Sequence, residues 1–225
     1  MAERHLRLFQ LVSPALPVGS FSYSEGLEVL VQAGCLTGVT ALAAWLQAEL
    51  RRGTVAVETA ALAPLRTAWQ CCCQGGEAMA LRDLDGWLLA LREAAEVRAQ
   101  QRQMGRSLLQ LLADLGLPAP LAAPAAPLAW PAAFAWAGHC LEIDAPALAE
   151  AYLHAWVANQ VSAAVRLVPL GPTDGQRLQW QLAPLLAERA VALVAADPRQ
   201  LWNGGLGAGM AQLGHAELYS RLFRS

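Results

Sequence analysis

Hydrophobic positions recur at helical spacing along almost the whole chain. Leucine, valine and alanine return every three or four residues, and no stretch alternates between apolar and polar residues as a half-buried strand would. The pattern predicts an all-α protein, a bundle or array of roughly eight to ten helices. The predicted helices cover residues 24–34, 39–52, 55–74, 77–115, 131–140, 145–168, 174–195 and 206–215.

Prolines and glycines interrupt this pattern at a few points. Pro64 and Pro184 lie inside predicted helices, where a proline removes a backbone donor, so we expect a kink or break at each. The long 77–115 segment is expected to break near 85–86. The Ala/Pro segment 118–131 is short and apolar, which predicts a packed connector. Because no long polar linker occurs, residues 1–225 are predicted to form a single domain.

The composition raises the question of a membrane, since 56% of the residues are hydrophobic. The longest segment without Asp, Glu or Arg, 115–141, contains five prolines, which disfavour a membrane-spanning helix. Segment 151–165 is shorter than the ~20 apolar residues that a span needs. No secretory signal pattern opens the chain. We therefore expect a soluble, cytoplasmic protein that buries surplus apolar surface against partner helices.

Charge and residue usage exclude several classes of protein. A net charge of −2 offers no attraction to nucleic acid or to an anionic membrane. The chain has no lysine, which excludes a Walker-A loop, a pyridoxal Schiff base and a catalytic lysine. We therefore predict no cofactor, and any nucleotide chemistry linked to this chain would belong to a partner.

The cysteines and histidines show no metal-binding spacing. Cysteines 71–73 are adjacent, so on a helix they point roughly 100° apart and cannot easily chelate one ion. Cys35 and Cys140 have apolar neighbours and are predicted to be small core residues. A nickel site within one chain is not visible, although a site shared across an oligomer could use any histidine. The histidines are scattered and predicted to be hydrogen-bonded structural residues: His5, His139, His154 and His215.

Segment 13–28 combines two prolines, two glycines and several hydroxyls with a pair of carboxylates. Ser22 and Glu25 have capping-box spacing, which favours a rigid turn followed by a capped helix. Glu25 and Glu28 are three residues apart and would then share a helix face, turned to a channel or a partner. An acid–base pair is the weaker alternative, because no nucleophile or histidine lies nearby in sequence.

Three arginines follow one another at i, i+4 and i+8 in the 93–106 segment: Arg98, Arg102 and Arg106. One interpretation is a solvated helix face, supported by an Arg92–Glu96 pair. The other is a polar layer where this helix crosses a second one, with Gly105 allowing close approach. The sequence leaves both open.

Arg166 lies in the last turn of a predicted helix that Pro169 ends, while Thr173 or Asp174 can cap the next helix. A positive charge there suits the helix dipole and would also be placed to meet a partner.

Residues 203–225 combine a glycine-rich hinge, 203–207, with a C-terminal tail, 215–225, that is rich in Tyr, Arg, Leu and Phe. Such side chains anchor interfaces. The tail either packs on its own domain or, as the hinge favours, becomes ordered on a partner.

These segments, in this order, resemble the urease accessory protein F family. Segment 13–28 is similar to its Ser-Pro-x-Leu-Pro-Val-Gly-x-Phe-Ser-x-Ser-x-Gly-Leu-Glu signature. Segment 96–106 resembles its mid-chain Glu-x-Arg…Gly element, and 165–171 resembles its Val-Lys-Leu-Val-Pro-Leu-Gly turn. Residues 219–225 resemble its Tyr-Ser-Arg-Leu-Phe-Arg-Ser terminus. The similarity covers almost the whole chain.

The resemblance implies an all-α homodimer without catalysis of its own. It implies a complex with the accessory protein called D or H and with the G-type GTPase, which docks on apo-urease and passes on Ni²⁺. The F protein bridges the two: its tail binds the D/H protein, and the surface near the 165–171 turn engages and regulates the GTPase. The residues carried over are Tyr219, Ser220, Arg221, Leu222, Phe223 and Arg224 for the D/H protein, Arg166 and Glu28 for the GTPase, and Glu25 with Glu28 as a candidate nickel route.

The chain departs from the family pattern mainly before the tail. Gly214, Ala216 and Leu218 interrupt the usual Arg-His-Glu-x-Gln-Tyr, and Arg166 replaces the usual lysine. Ser20 replaces a frequent glycine. The alternative functions are a helical adaptor outside the urease system, a free-standing nickel carrier and a small helical hydrolase.

Overall fold

The computed structural model describes residues 2–118 and 127–225, and it confirms the predicted all-α domain. No strand occurs in these two ranges, and short 3-10 turns cover Ser20–Ser22, Pro198–Gln200 and His215–Glu217. The α-helices described there are α1 (Ala2–Leu11), α2 (Leu27–Gln32), α3 (Val39–Arg52), α4 (Thr54–Cys73), α5 (Met79–Ala90), α6 (Ala95–Asp114), α7 (Trp130–Cys140), α8 (Ala145–Leu167), α9 (Pro172–Val194) and α10 (Leu206–Gly214).

Helices α4 and α7 form the centre of the array. α4 packs against α3, α5, α7, α8 and α9, and almost every side chain of α7 is buried. Both helices are rich in alanine, whose small side chain lets neighbouring helices approach closely. The indole of Trp69 lies 4.7 Å from that of Trp136, measured between ring centroids, and donates a hydrogen bond to the Ala132 carbonyl at 2.9 Å. A buried aromatic pair adds about 0.5–1.5 kcal/mol beyond the burial of its area.

The break in the 77–115 segment was predicted at the wrong place. Gly86 lies inside α5, and the helix ends at Ala90. The chain turns there because Arg92 enters the core, where it is only 3% exposed. The Arg98 guanidinium donates to the carbonyls of Arg92 and Glu93, which lie in the connection between α5 and α6.

Three further local predictions were wrong. Helix α1 was not predicted, although its Leu11 is buried in the core and its Leu8 packs against it; its other large apolar side chains, Leu6 and Phe9, are exposed. Of the kink or break expected at Pro64 and Pro184, the break is wrong, because α4 and α9 continue through these residues. α9 begins at Pro172, ahead of the expected caps, because proline is already set for the first helical position.

Gly105 allows α6 to approach the chain before α7 closely, as the interpretation of a helix crossing in the 93–106 segment required. A Cβ at this position would lie 2.2 Å from the carbonyl oxygen of Leu128, so only glycine lets α6 pack against the chain that leads into α7. Most of the predicted 118–131 connector lies outside the described residues. In the part of the chain that the structure covers, no helix is long and apolar enough to cross a membrane.

Candidate functional site

Residues 13–26, which we call the signature loop, form an irregular turn before α2. Gly19 and Gly26 have φ angles of 78° and 89°, and Glu25 has the rare left-handed value of 52°. A Cβ on Gly26 would lie 2.9 Å from the backbone nitrogen of Gln212, so the loop packs directly on α10. The predicted capping box is wrong, because α2 begins only at Leu27 and Gly26 precedes it without a side-chain cap.

The prediction that Glu25 and Glu28 share a helix face is therefore wrong. Glu25 precedes α2, and its carboxylate accepts hydrogen bonds from Gln100 Nε2 at 2.8 Å and Trp156 Nε1 at 3.3 Å. Glu28 lies in the first turn of α2, and its carboxylate accepts from the backbone of the tail. Both are at least 90% buried.

Glu25 belongs to a buried ionic cluster with Glu58, Arg92 and Tyr152. Arg92 Nε lies 3.0 Å from Glu58 Oε1, and Arg92 Nη1 lies 3.7 Å from Glu25 Oε2. The Tyr152 hydroxyl donates to Glu58 Oε2 at 2.8 Å. Burial raises the pKa of Glu58, although Arg92 opposes this rise. The predicted Arg92–Glu96 pair is wrong, because Arg92 points into the core.

The C-terminal tail lies against its own domain, chiefly on the signature loop, α2 and α6. Glu28 accepts the backbone N–H groups of Leu222 and Phe223 at 2.7 and 3.1 Å. The main-chain oxygen of Ser225 accepts from the Ser24 backbone N–H at 2.9 Å and from its hydroxyl at 2.6 Å. Phe223 and Ser225 are buried. The first of the two tail interpretations thus describes this conformation, and binding to a partner stays a prediction.

A second set of contacts holds the start of the tail. His215 is fully buried, with Nδ1 2.7 Å from the Glu96 carboxylate and Nε2 3.5 Å from that of Glu28. Arg221 pairs with the same Glu96 at 2.9 Å. His215 is therefore a hydrogen-bonded structural residue, as predicted. Sequence analysis did not assign the tail contacts of Ser24, Glu96 and Gln100, because no spacing connects residues so far apart.

Most of the side chains predicted to bind a partner remain on the surface. Tyr219 is fully exposed and Leu222 is half exposed. Ser220, Arg221 and Arg224 are also exposed, whereas Phe223 is only 4% exposed. Of the side chains predicted to bind a partner, Phe223 is therefore held in the core and the other five face solvent.

Arg166 connects the signature loop with the tail. Its Nη1 donates to the carbonyl of Phe21 at 3.1 Å, and its guanidinium lies 4.4 Å from the centroid of the Phe223 ring. Phe21 itself is 66% exposed. The last turn of α8 thus brings a positive charge, an exposed aromatic ring and the tail into one surface.

The arginines of the 93–106 segment agree with the interpretation of a solvated helix face. Arg102 and Arg106 are exposed on α6, whereas Arg98 is half buried. The polar residues that α6 does bury are Gln100 and Gln101.

The hinge region is anchored at several points. The backbone N–H of Gly204 donates to the Arg52 carbonyl at 2.7 Å, and Asn203 hydrogen-bonds to Thr54. Helix α10 follows directly and exposes an apolar stripe with Leu206, Met210 and Leu213.

The cysteines are nearer the surface than predicted. Cys35 is exposed, which corrects its assignment to the core: it follows Gly34 in the turn after α2. Cys140 is half buried, and burial raises its pKa to about 11. Cys73 Sγ lies 3.8 Å from His139 Nε2. In the described ranges, no group of three or more His, Cys, Asp or Glu side chains is placed to hold a metal ion.

A cleft of about 600 Å³ opens between the signature loop, α6, α8 and the start of α9. Its lining includes the aromatic side chains of Trp130, Tyr152 and Trp156 and the carboxylates of Glu25 and Glu58. The buried ionic cluster therefore borders a space large enough for a side chain or a small molecule.

The fold and this surface define a class of protein. It is an all-α domain whose C-terminal tail closes on the signature loop, which contains prolines and glycines. The UreF family model matches residues 36–183. The urease accessory protein UreF of Alkalilimnicola ehrlichii is 44% identical over 226 residues, covering 100% of this chain and 96% of its own length. That of Trichormus variabilis is 40% identical over 228 residues, with 100% and 98% covered. The chain therefore belongs to the UreF family.

Proposed function

We propose that this chain is a non-enzymatic accessory protein of urease maturation, acting in the cytoplasm to support nickel insertion. It bridges the D/H-type accessory protein and the G-type GTPase on apo-urease and regulates the GTPase. Family membership supports the role in urease maturation. The observation that carries the scaffold role is the surface where the signature loop, Arg166 and the tail meet.

The tail is the proposed contact with the D/H-type protein. Tyr219 and Leu222 expose large side chains to solvent in this conformation, and Arg224 adds an exposed charge. Aromatic and arginine side chains of this kind carry much of the energy of protein interfaces. The apolar stripe of α10 lies just before the tail in the chain and extends the available surface.

Arg166 and Glu28 are the proposed determinants of GTPase binding, and the structure supports different roles for them. Arg166 is exposed and can contact a partner directly. Glu28 is 3% exposed beneath the tail, so it acts as a positioning residue that holds the Leu222 and Phe223 backbone. A partner that moves the tail would therefore alter the surface around Arg166.

Further exposed apolar side chains support binding to another copy of the chain. Leu6 and Phe9 stand on α1, and Trp180 and Val191 stand on α9. We propose that the protein forms a homodimer, for which such surface is needed.

A nickel route past Glu25 and Glu28 stays a prediction. Both carboxylates accept N–H donors, so a passing ion would have to displace hydrogen bonds from Gln100, Trp156 or the tail. A helical adaptor outside the urease system and a nickel carrier remain the alternatives, and equilibrium dialysis of Ni²⁺ against the isolated chain tests the second.

The function is tested by co-purifying the tagged chain with its D/H-type and GTPase partners, with and without residues 219–225. The full chain should capture both partners and the truncated chain neither, because the GTPase joins only the assembled pair. Tyr219→Ala should weaken capture of the D/H-type protein without loss of stability, since this side chain is fully exposed. Met79→Ala, 69% exposed on α5, is the matched control. If the full chain captures neither partner, the proposal is wrong.

A further inference from the structure

A cluster of two cysteines and a histidine lies where α4 and α7 end. Cys73 is the last residue of α4, and Cys140 is the last residue of α7. Cys73 Sγ lies 3.8 Å from Nε2 of His139, the residue before Cys140. Burial raises the pKa of Cys140 to about 11, and the neighbouring Cys73 thiol adds to this rise, so the two sulfurs are close in space. We call these three residues the thiol cluster.

Helical spacing places the two cysteines opposite each other. The Trp69 and Trp136 rings pack between α4 and α7 with their centroids 4.7 Å apart. Each cysteine comes four residues after one of these tryptophans, so it lies on the same helix face one turn further along. The contacts advance toward the end of both helices, from the tryptophan pair to Cys73 and His139, so α4 and α7 run in the same direction. Cys73 and Cys140 therefore face each other across one interface.

The two neighbours of Cys73 in the cysteine triplet are turned away from α7. Cys71 Sγ lies where it would meet a Cβ placed on Gly76. Cys72 Sγ lies 4.0 Å from the Glu77 carbonyl oxygen. Both contacts are in the turn between α4 and α5, and adjacent residues of a helix point about 100° apart. Cys73 is therefore the thiol of the triplet that is directed toward α7.

Exposure gives the two thiols of the cluster different roles. Cys73 is exposed, whereas Cys140 is half buried and packs against the core, so an oxidant from solvent reaches Cys73 first. The thiolate is the reactive form of a cysteine. His139, whose ring stacks on that of Trp136, is placed to accept the Cys73 proton. Cys140 is sheltered from the oxidant and is suited to react with an oxidised Cys73.

A metal ion fits the thiol cluster less well than a disulfide does. In the described ranges, no group of three or more His, Cys, Asp or Glu side chains is placed to hold one. A metal also needs thiolate ligands, and a pKa of about 11 keeps Cys140 protonated at neutral pH. A disulfide requires only that two sulfurs meet. Both cysteines end their helices, where local opening costs little free energy, so the two ends can make the small movement that an S–S bond needs.

We propose that Cys73 and Cys140 form a reversible disulfide when the chain meets hydrogen peroxide or an organic hydroperoxide. The Cys73 thiolate attacks one peroxide oxygen and the O–O bond breaks, which leaves a sulfenic acid on Cys73. The departing oxygen takes the proton from His139 and leaves as water or an alcohol. The Cys140 sulfur then attacks the Cys73 sulfur, the S–O bond breaks, and the hydroxyl departs with the Cys140 proton as water.

The balance of this reaction is simple. Two thiols and one hydrogen peroxide give one disulfide and two waters, and a dithiol reductant restores both thiols. The bond would fasten the ends of the two helices at the centre of the array. Neither the disulfide nor its test depends on the urease partners, so the proposed function is tested separately.

The disulfide is tested by treating the reduced full chain with hydrogen peroxide and then blocking the remaining thiols with N-ethylmaleimide. Trypsin cuts only after arginine in this lysine-free chain, so Cys73 is released in peptide 67–82 and Cys140 in peptide 107–166. Mass spectrometry without reduction should find these two peptides joined in the monomer, and dithiothreitol should separate them. The number of free thiols should fall by two of the five.

Single variants identify the sulfurs and the proton acceptor. Cys73→Ser and Cys140→Ala should each lower the yield of this cross-link about tenfold or more, because the bond needs both sulfurs. Cys71→Ser, exposed in the same triplet, is the matched control and should form the cross-link as the unmodified chain does. Cys73 is exposed, so Cys73→Ser keeps the test decisive if Cys140→Ala does not fold. His139→Gln should slow cross-link formation at neutral pH and leave its final yield unchanged.

Three results would overturn the proposal. The first is an equal yield of the cross-link in Cys73→Ser and in the Cys71→Ser control. The second is a peroxide product that consists only of disulfide-linked dimers. The third is a loss of thiols to sulfinic acid without any cross-link between the two peptides. An unchanged rate in His139→Gln would refute the role of this ring as proton acceptor.

Discussion

Glu49→Gln should remove a pH dependence of folding stability that a single buried carboxyl creates. Glu49 lies on α3 with 8% of its surface exposed, and its Oε2 lies 2.1 Å from where a Cβ on Gly53 would stand. Burial raises its pKa from the usual 4.5 to about 7, against the opposing charge of Arg92 and with help from Glu25. The folded chain therefore holds the Glu49 proton at pH values where the unfolded chain releases it.

The sign and size of the effect follow from this difference in pKa. Because the folded state binds the proton more tightly, the free energy of unfolding falls as pH rises through the window from about 4.5 to about 7. One pKa unit corresponds to about 1.4 kcal/mol, so Glu49 should cost about 2–3 kcal/mol of stability between pH 5 and pH 8. Glutamine has nearly the same shape and no proton to lose, so the variant should lack this contribution.

Urea denaturation followed by circular dichroism at pH 5, 6, 7 and 8 measures the effect. The free energy of unfolding of Glu49→Gln should increase steadily relative to that of the unmodified chain as pH rises, most clearly between pH 5 and pH 7. Other buried acids, such as Glu58 and Asp85, contribute the same slope to both proteins and cancel in the comparison. Glu188→Gln, exposed on α9, is the control and should change nothing. Parallel stability curves for the unmodified chain and Glu49→Gln would refute the reasoning.

Two further predictions concern packing and the buried ion pair. Gly105→Ala should destabilise the fold by about 1–3 kcal/mol in thermal or urea denaturation, because its Cβ would meet the Leu128 carbonyl at 2.2 Å. Gly86→Ala has open space on α5 and should stabilise by about 0.5–1 kcal/mol, so equal effects at the two glycines would contradict this account. Arg92→Leu should cost about 3–5 kcal/mol because it leaves Glu58 buried without its counter-charge, whereas adding Glu58→Leu should restore most of the loss. A double variant as unstable as the single one would show that the ion pair is not the cause.

Helical periodicity was enough to predict most of the fold, because a buried stripe at 3.6-residue spacing is a local property of the sequence. It failed where a distant partner decides the local structure. Arg92 looked like one half of a surface pair with Glu96, yet it ends the 77–115 helix by entering the core toward Glu58. Helix α1 was missed because only Leu8 and Leu11 of its ten residues contact the core, whereas Leu6 and Phe9 face solvent, so the apolar stripe is too short to stand out.

The functional surface was only partly predictable. The resemblance to the UreF family identified the signature loop, Arg166 and the tail, but no spacing in the sequence indicates that they meet. Glu28 was expected on a face shared with Glu25, whereas the left-handed backbone at Glu25 turns the two carboxylates to different neighbours. The cleft was missed because its lining residues, such as Glu25, Gln101 and Trp156, are far apart in the sequence and meet only in the folded structure.

The pairing of Ser24 with Ser225 has a consequence for biosynthesis. These residues are separated by 201 positions, so their hydrogen bonds close a very long loop. A chain emerging from the ribosome can form α3, α4 and α5 early, whereas the surface around Glu28 and Arg166 is completed only after residues 222–225 have emerged. A chain that stops before residue 222 would therefore fold much of its core and still lack this surface.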